Sequence, residues 1–169
     1  TETQMILWPN SDPKDSYRRK VAKGFNFGGI TYDASPKVIA VATGLSVAVA
    51  EKYKYEWYDR HPEAYKYIQD RENDSCPYAE TVFGRRMLLP LEEDRGLTHV
   101  QKCRIDYPIQ GTAVDIVDRA MLMMKDTNMV LQVHDELLLD GKYDIDDALQ
   151  SICPEIHTPV ETKYGAVWI

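Results

Sequence analysis

Residues 131–139, LQVHDELLL, hold two apolar segments that are separated by His134 and Asp135. Two short apolar runs on either side of a two-residue break predict an antiparallel β-hairpin. Such a turn usually holds Asn-Gly, Asp-Gly or Gly-Gly, because its central residues need positive φ. Here an imidazole and the carboxylates of Asp135 and Glu136 stand at the tip instead. Taken alone, this pattern favours an acidic turn in water; the alternative is a place where carboxylates hold a hard cation.

The composition predicts a folded domain. A length of 169 residues suits one domain or two joined subdomains, and an apolar fraction of 44% is enough for a packed core. The sequence has no apolar run of membrane-spanning length and no visible signal peptide, so we expect no membrane partner. The cysteines stand far apart without metal-ligand spacing, which predicts reduced thiols in the cytoplasm.

Charge is distributed unevenly along the chain. A net charge of −7 argues against a protein that binds nucleic acid over its whole surface. The basic residues near the start are nevertheless clustered, as Arg18, Arg19, Lys20 and Lys23. Between residues 135 and 161 the only lysine or arginine is Lys142. A basic arm that meets phosphates and an acidic region near metal ions would fit this pattern, and so would an acidic protein with a solvated basic helix face.

Periodicity and turn residues predict helices first and a hairpin later, which is the α+β class. The segments are an irregular start (1–13), a helix from 14 that glycines 28 and 29 end, helices 35–43, 45–59 and 62–73, a strand pair in 79–89, helices 97–105 and 111–126 interrupted near Pro108, the hairpin 129–140, a helix near 144–152 and a strand near 158–164.

Arg19, Lys23 and Phe27 are spaced by four residues in the first long helix. Over these positions a helix drifts by only about 80°, so the three side chains share one face. Two cations followed by a flat ring are suited to triphosphate oxygens and a base or sugar. The alternative is an amphipathic helix with a solvated basic face and Phe27 in the core.

The motif LQVHDE resembles the palm motif of family A DNA polymerases, which include bacterial DNA polymerase I and several phage replicases. Three further segments resemble that family in the same order. Residues 18–28 are similar to its fingers helix, residues 80–90 (ETVFGRR with Pro90) to its fingers-to-palm segment, and residues 108–115 (PIQGTA with Asp115) to the start of its long palm helix. The four motifs span nearly the whole chain.

The resemblance implies that residues 1–95 are the C-terminal part of the fingers and residues 96–169 the C-terminal part of a palm with a catalytic hairpin. It implies that Arg19 and Lys23 bind the incoming dNTP, with Lys23 also catalytic, and that Phe27 shapes the nucleotide pocket. Asp135 would be one of two aspartates that hold two Mg²⁺ ions. The residues expected at the DNA primer-template are Arg86, Gln110, Gln132, His134 and Glu136.

Some positions depart from the family pattern. Tyr32 lies one residue later than the fingers tyrosine, so either Tyr32 or Thr31 takes its place in the nucleotide site, and Asp33 stands where the family has a glycine. Asp106 stands where the family usually has asparagine. We interpret Asp115 as a structural residue and not as a metal ligand.

The palm strand that carries the family's second metal-binding aspartate has no counterpart in this sequence. We therefore expect the chain to be inactive alone and to need an N-terminal polymerase half. The alternatives are a non-catalytic fragment that binds primer-template, and one piece of a continuous polymerase. Thr1 has the hydroxyl nucleophile that protein splicing needs, which raises the hypothesis of a phage polymerase assembled from two genes by a split intein.

Overall fold

The computed structural model of this chain describes residues 2–30, 33–143 and 149–166. The chain divides into two compact units. Unit 1 holds Thr1–Ala79 and Arg86–Pro108, and unit 2 holds Glu80–Arg85 and Ile109–Ile169. Helices combined with two small antiparallel sheets confirm the predicted α+β class.

The first helices and the two strand pairs follow the predicted order, two short helices are added, and the two helices predicted on either side of Pro108 form one. The elements are α1 (Glu2–Leu7), α2 (Ser16–Gly24), a π-helix (Phe25–Ile30), α3 (Pro36–Thr43), α4 (Val47–Arg60), α5 (Pro62–Glu72), β1 (Tyr78–Glu80), β2 (Arg86–Leu88), α6 (Glu92–Arg95), α7 (Leu97–Met123), β3 (Met129–Val133) and β4 (Glu136–Leu139). The short helices α1 and α6 were not predicted.

Short polar side chains begin three helices of unit 1, α2, α3 and α4. Asp15, Ser35 and Ser46 each accept a hydrogen bond from the backbone N–H three residues later, at 3.0, 3.4 and 3.3 Å. Each such cap stabilises a helix by about 1 kcal/mol. Gly44 ends α3 in the left-handed conformation, with φ +73°, which glycine takes without strain. The predicted start of α3 at Ser35 is therefore confirmed.

The core of unit 1 lies where the apolar faces of its helices meet. Its buried members are Leu7, Ala22, Phe25, Ile30, Ala34, Ile39, Ala40, Ala50, Tyr58, Ile68 and Ile105. Phe25, at the start of the π-helix, is almost fully buried. This core holds the end of α2 and the π-helix against α3 and α4.

The irregular start predicted for residues 1–13 is wrong, because Glu2–Leu7 is helical. Gln4, Ile6 and Leu7 are buried. The side-chain amide of Gln4 also donates to the backbone oxygen of Asp12 at 2.7 Å. Tertiary burial thus forms a helix that its local sequence does not signal.

Glycines 28 and 29 do not end the first long helix, as was predicted; they lie inside the π-helix. A Cβ at position 29 would stand 3.0 Å from Cγ1 of Ile39. Gly29 therefore permits the close approach of the π-helix to α3. Wider π turns in a helix are frequent at functional sites.

Helix α7 runs through Pro108 without the predicted interruption. A proline inside a helix removes one backbone hydrogen bond and costs about 3 kcal/mol. Burial of Ile105 before it and of Thr112 after it offsets this cost. The boundary between the two units nevertheless falls directly after Pro108.

The predicted hairpin is confirmed: β3 and β4 are antiparallel, and Val133 stands opposite Glu136. The helix expected near 144–152 falls largely on residues 144–148, outside the described residues. The strand expected at 158–164 is wrong, because that segment has no regular structure. A strand needs a partner that accepts its backbone hydrogen bonds, and neither described sheet pairs with it.

Candidate functional site

Helix α2 of unit 1 presents the predicted cationic face. Arg19 and Lys23 are both exposed, and no acidic side chain among the described residues pairs with either of them. The neighbouring Arg18 differs, because its guanidinium lies 3.6 Å from Asp15 and 5.9 Å from the ring centroid of Trp8. Two cations of α2 are thus available to an anionic ligand.

The π-helix follows α2 directly and carries Phe27. The side chain of Phe27 lies outside the described part of the chain, and so do Thr31 and Tyr32. Their predicted roles at the nucleotide, including the choice between Thr31 and Tyr32, therefore stay predictions. Before the π-helix, the Thr3 hydroxyl lies 2.9 Å from the side-chain oxygen of Asn26, which ties α1 to it.

In unit 2, the segment 80–85 contacts the part of α7 that begins at residue 109. Parts of two sequence motifs, 80–90 and 108–115, therefore lie next to each other. The Arg85 Nε donates to Oδ1 of Asp115 at 2.5 Å, and Nη2 donates to the backbone oxygen of Gly111 at 3.0 Å. The guanidinium of Arg119 lies 4.0 Å from the ring centroid of Phe83. These charge-assisted contacts attach the segment to the helix.

Two threonines complete this attachment. The backbone N–H of Val82 donates to the Thr112 hydroxyl at 3.1 Å, and the N–H of Arg85 donates to the Thr81 hydroxyl at 3.1 Å. Gly84 closes the turn with φ +83°, a conformation that side chains disfavour.

Asp115 is buried, and its surroundings stabilise the ionised form of its carboxyl group. Burial by itself would raise the pKa of the Asp115 carboxyl, but hydrogen bonds from Thr81 and Arg85 and the charges of Arg85 and Arg119 outweigh it and hold the pKa below its ordinary value. The carboxylate is therefore engaged in holding the segment, which agrees with its structural interpretation.

We expect Asp115→Asn to lower the free energy of unfolding by about 2 kcal/mol at neutral pH, because hydrogen bonds to a charged group are lost. A lowered carboxyl pKa contributes stability above the unfolded-state value, about 4 for Asp, and that stability is lost as the pH falls through the folded-state value. The difference in the free energy of unfolding between wild type and variant, measured with urea, should persist at pH 5 and become smaller in stronger acid. Asp118→Asn, an exposed carboxylate on the same helix, is the matched control; an equal loss in both variants would contradict the assignment.

Arg86 and Gln110 are the predicted DNA contacts outside the hairpin. Arg86, in unit 1, is exposed on β2, and its guanidinium carbon lies 4.6 Å from the ring centroid of Tyr78. Gln110, in unit 2, is exposed on α7, one residue before the buried Gly111. Both side chains face solvent, as contact with DNA requires.

The hairpin tip of unit 2 is strained at His134, whose φ is +54°. The turn was expected to need positive φ at both central residues; among them only His134 has it. Such a conformation costs about 1–3 kcal/mol in residues other than glycine and is concentrated at functional sites. The side-chain amide of Gln132 donates to the backbone oxygen of His134 at 2.6 Å and stabilises the turn. An amide nitrogen carries a second hydrogen for another acceptor.

Asp135 and Glu136 follow His134 and are exposed. Mg²⁺ is usually held by one or two carboxylates together with substrate phosphates and water. The carboxylate of Asp135 fits one such ligand. Among residues 2–30, 33–143 and 149–166 no group of three or more acidic, histidine or cysteine side chains is arranged to hold an ion.

Sequence reasoning missed two interactions. Arg85 was not singled out, although its place in the motif beside Arg86 was noted. The ion pair of Asp33 and Lys54 in unit 1 was also missed. Its sequence signal was weak, because Lys54 is one of several polar residues on α4 and, of the two residues, the sequence singled out Asp33 alone. Of the described helices, none is long and apolar enough to cross a membrane.

The chain is similar to DNA polymerases over nearly its whole length. Residues 3–163 match the family model of DNA polymerase family A. The chain is 31% identical to DNA polymerase I of Pseudomonas aeruginosa, over 92% of its length, and 30% identical to DNA polymerase I of Streptococcus pneumoniae, over 99% of its length. It spans only 18% and 22% of those relatives.

A solved structure is similar as well. The POL domain of Pol1 from M. smegmatis, in complex with DNA primer-template and dNTP, matches with a TM-score of 0.66 and 25% sequence identity. The match covers 89% of this chain and 29% of that one.

Proposed function

Because this chain belongs to DNA polymerase family A, we propose that it is the C-terminal fingers and palm portion of a template-directed DNA polymerase, which adds dNTPs to a primer 3′ end. The match of residues 3–163 carries this proposal. Within it, residues 1–95 belong to the fingers and residues 96–169 to the palm. The phage type and the splicing hypothesis stay predictions.

The fingers residues of the proposed site bind the triphosphate. Arg19 and Lys23 lie one helical turn apart on α2, both exposed and without an acidic partner among the described residues. Phosphoryl transfer has little covalent chemistry for a protein to perform, so positioning and charge stabilisation supply most of the catalysis. Lys23 would neutralise charge that grows on the triphosphate, and Arg19 would orient it.

The palm residues of the proposed site meet the metal and the primer. Two Mg²⁺ ions, when bound, supply Lewis-acid stabilisation of the attacking and leaving oxygens. Asp135 would hold them together with a second carboxylate from the N-terminal part of the polymerase. Gln110, Gln132 and His134 would donate to the acceptors that every base pair presents in the minor groove. Glu136, next to Asp135, and Arg86 complete the proposed DNA contacts.

Primer extension tests this proposal. The assay compares this chain alone, the N-terminal part of the polymerase alone, and the two together, each with primer-template, dNTPs and Mg²⁺. We expect extension only from the combination, because one aspartate cannot fix two ions. Extension by this chain alone would reject the need for a second carboxylate. Primer-template binding by the combination without extension would favour the non-catalytic alternative.

A further inference from the structure

Asp33 forms an ion pair with Lys54 in unit 1. The Lys54 ammonium lies 2.6 Å from Oδ1 of Asp33, and the Tyr58 hydroxyl donates to the same oxygen at 2.7 Å. The Lys54 side chain is only 9% exposed, and that of Asp33 is 30% exposed. A lysine this deeply buried needs a partner, because burial disfavours its charge.

The same lysine also holds the backbone after Asp33. Its ammonium donates to the backbone oxygen of Ala34 at 2.9 Å. The N–H groups of Asp33 and Ala34 in turn donate to the backbone oxygens of Ile30 and Gly29, at 3.1 and 2.8 Å. Lys54 on α4 is thereby connected through Asp33 and Ala34 to the last two residues of the π-helix.

The conformation of Asp33 is maintained against strain. Its φ is +44°, in the left-handed region that glycine takes freely and other residues take at a cost. The two hydrogen bonds to Oδ1 offset that cost. A glycine at position 33 would take this φ without such an offset.

Aromatic packing fixes the other side of the cluster. Tyr58 is buried and its ring stacks on that of Tyr65, with centroids 4.4 Å apart. Burial, and then the hydrogen bond to Asp33, raise the pKa of the Tyr58 hydroxyl above its ordinary value, so it stays a neutral donor. A cavity of about 130 Å³ borders the cluster, lined also by Ile68 and Glu72. Burial, and then the neighbouring Asp33 charge, raise the pKa of the Glu72 carboxyl, while the Lys54 charge lowers it. Removal of Lys54 would therefore leave two neighbouring carboxyl groups at this cavity without their cation.

We propose that Asp33 and Lys54 are positioning residues for the incoming nucleotide: they fix the end of the π-helix, which carries Phe27, and thereby the orientation of helix α2, which precedes it and carries Lys23. This inference rests on the proposed function of that helix. A displacement of about 1 Å in a reacting group can cost about a hundredfold in rate. The pair therefore acts on dNTP binding through backbone geometry, without touching the nucleotide.

The test measures steady-state dNTP incorporation by the polymerase that contains this chain, with primer-template affinity and thermal unfolding followed in parallel. We expect Lys54→Met to raise the KM for dNTP about tenfold, because Asp33 and Ala34 lose the ammonium that holds them in place, while the primer-template Kd stays within about twofold. Asp33→Gly combined with Lys54→Met should restore KM to within about threefold of wild type, since glycine accepts the positive φ and methionine fills the lysine stem. Lys52→Met, an exposed lysine on the same helix, is the matched control.

Three results would overturn the inference: a KM within twofold of wild type for Lys54→Met, a double variant no better than Lys54→Met, or a parallel loss of kcat, DNA affinity and thermal stability. If Lys54→Met does not fold, Tyr58→Phe, which removes one hydrogen bond to Asp33, carries the same KM test with a smaller expected rise of about threefold. The Lys23→Ala variant separates the two hypotheses. If it leaves KM unchanged, the proposed function of the helix fails; if it raises KM and the Asp33 and Lys54 variants do not, only the present inference fails.

Discussion

Asp135→Asn is expected to lower the kcat of the polymerase by at least about 10³-fold, which corresponds to about 4 kcal/mol in the transition state. An amide is a neutral and poorer ligand than a carboxylate for a hard cation, so charge that develops during transfer loses its stabilisation. Primer-template affinity should not fall, because Asp135 is an exposed acidic residue that would repel phosphates in the absence of metal. Single-turnover incorporation and a separate DNA-binding titration measure the two effects.

Asp126→Asn is the control for this change. Asp126 is also an exposed aspartate of unit 2, in the turn between α7 and the hairpin. Its substitution should leave kcat within about twofold of wild type, because substitutions of exposed residues outside a functional site have small effects. A turnover of Asp135→Asn within tenfold of wild type, about 1.4 kcal/mol, would mean that Asp135 is no metal ligand.

The hairpin and the start of α3 could be predicted from the sequence because their signals are local. A two-residue break between apolar runs defines β3 and β4, and Ser35 before Pro36 defines the start of α3. The left-handed conformation needed at the turn was also foreseeable, although His134 alone provides it. Short-range chemistry decides such features, so a single sequence contains them.

Elements that depend on distant contacts could not be predicted. Helix α1 exists because Gln4, Ile6 and Leu7 are buried, and nothing in their own order signals it. Pro108 stays helical because residues on both sides of it are buried within their units. The pairing of Asp33 with Lys54 joins residues far apart in sequence, and no local pattern indicates which lysine is the partner.

The candidate site was predictable to a different extent in each unit. The shared face of Arg19 and Lys23 follows from helical periodicity, and the structure has both side chains exposed on α2. The sequence showed the motifs 80–90 and 108–115 but not the contact between them. That contact could not be predicted, because Arg85 and Asp115 are 30 residues apart in sequence. The tertiary fold determines which charged residues pair in this way, and the local sequence does not.

Lys23→Ala is expected to lower kcat/KM for dNTP by about 10²-fold, about 3 kcal/mol, through a higher KM and a slower chemical step. The ammonium would contact triphosphate oxygens before and during transfer, so its loss weakens both ground-state binding and transition-state stabilisation. Lys23 has no acidic partner among the described residues, so its removal leaves no buried charge behind and folding should be unaffected. The effect should therefore appear in pre-steady-state incorporation and not in thermal unfolding.

Lys37→Ala provides the comparison, because Lys37 is an exposed lysine of unit 1 on α3 and is outside the proposed nucleotide face. It removes the same charge from the same unit, so it separates a general electrostatic effect on an anionic substrate from a direct contact. We expect kcat/KM of this control within about twofold of wild type. Equal losses in the two variants would assign the role of Lys23 to long-range attraction, and a kcat/KM within about threefold for Lys23→Ala would remove it from the site.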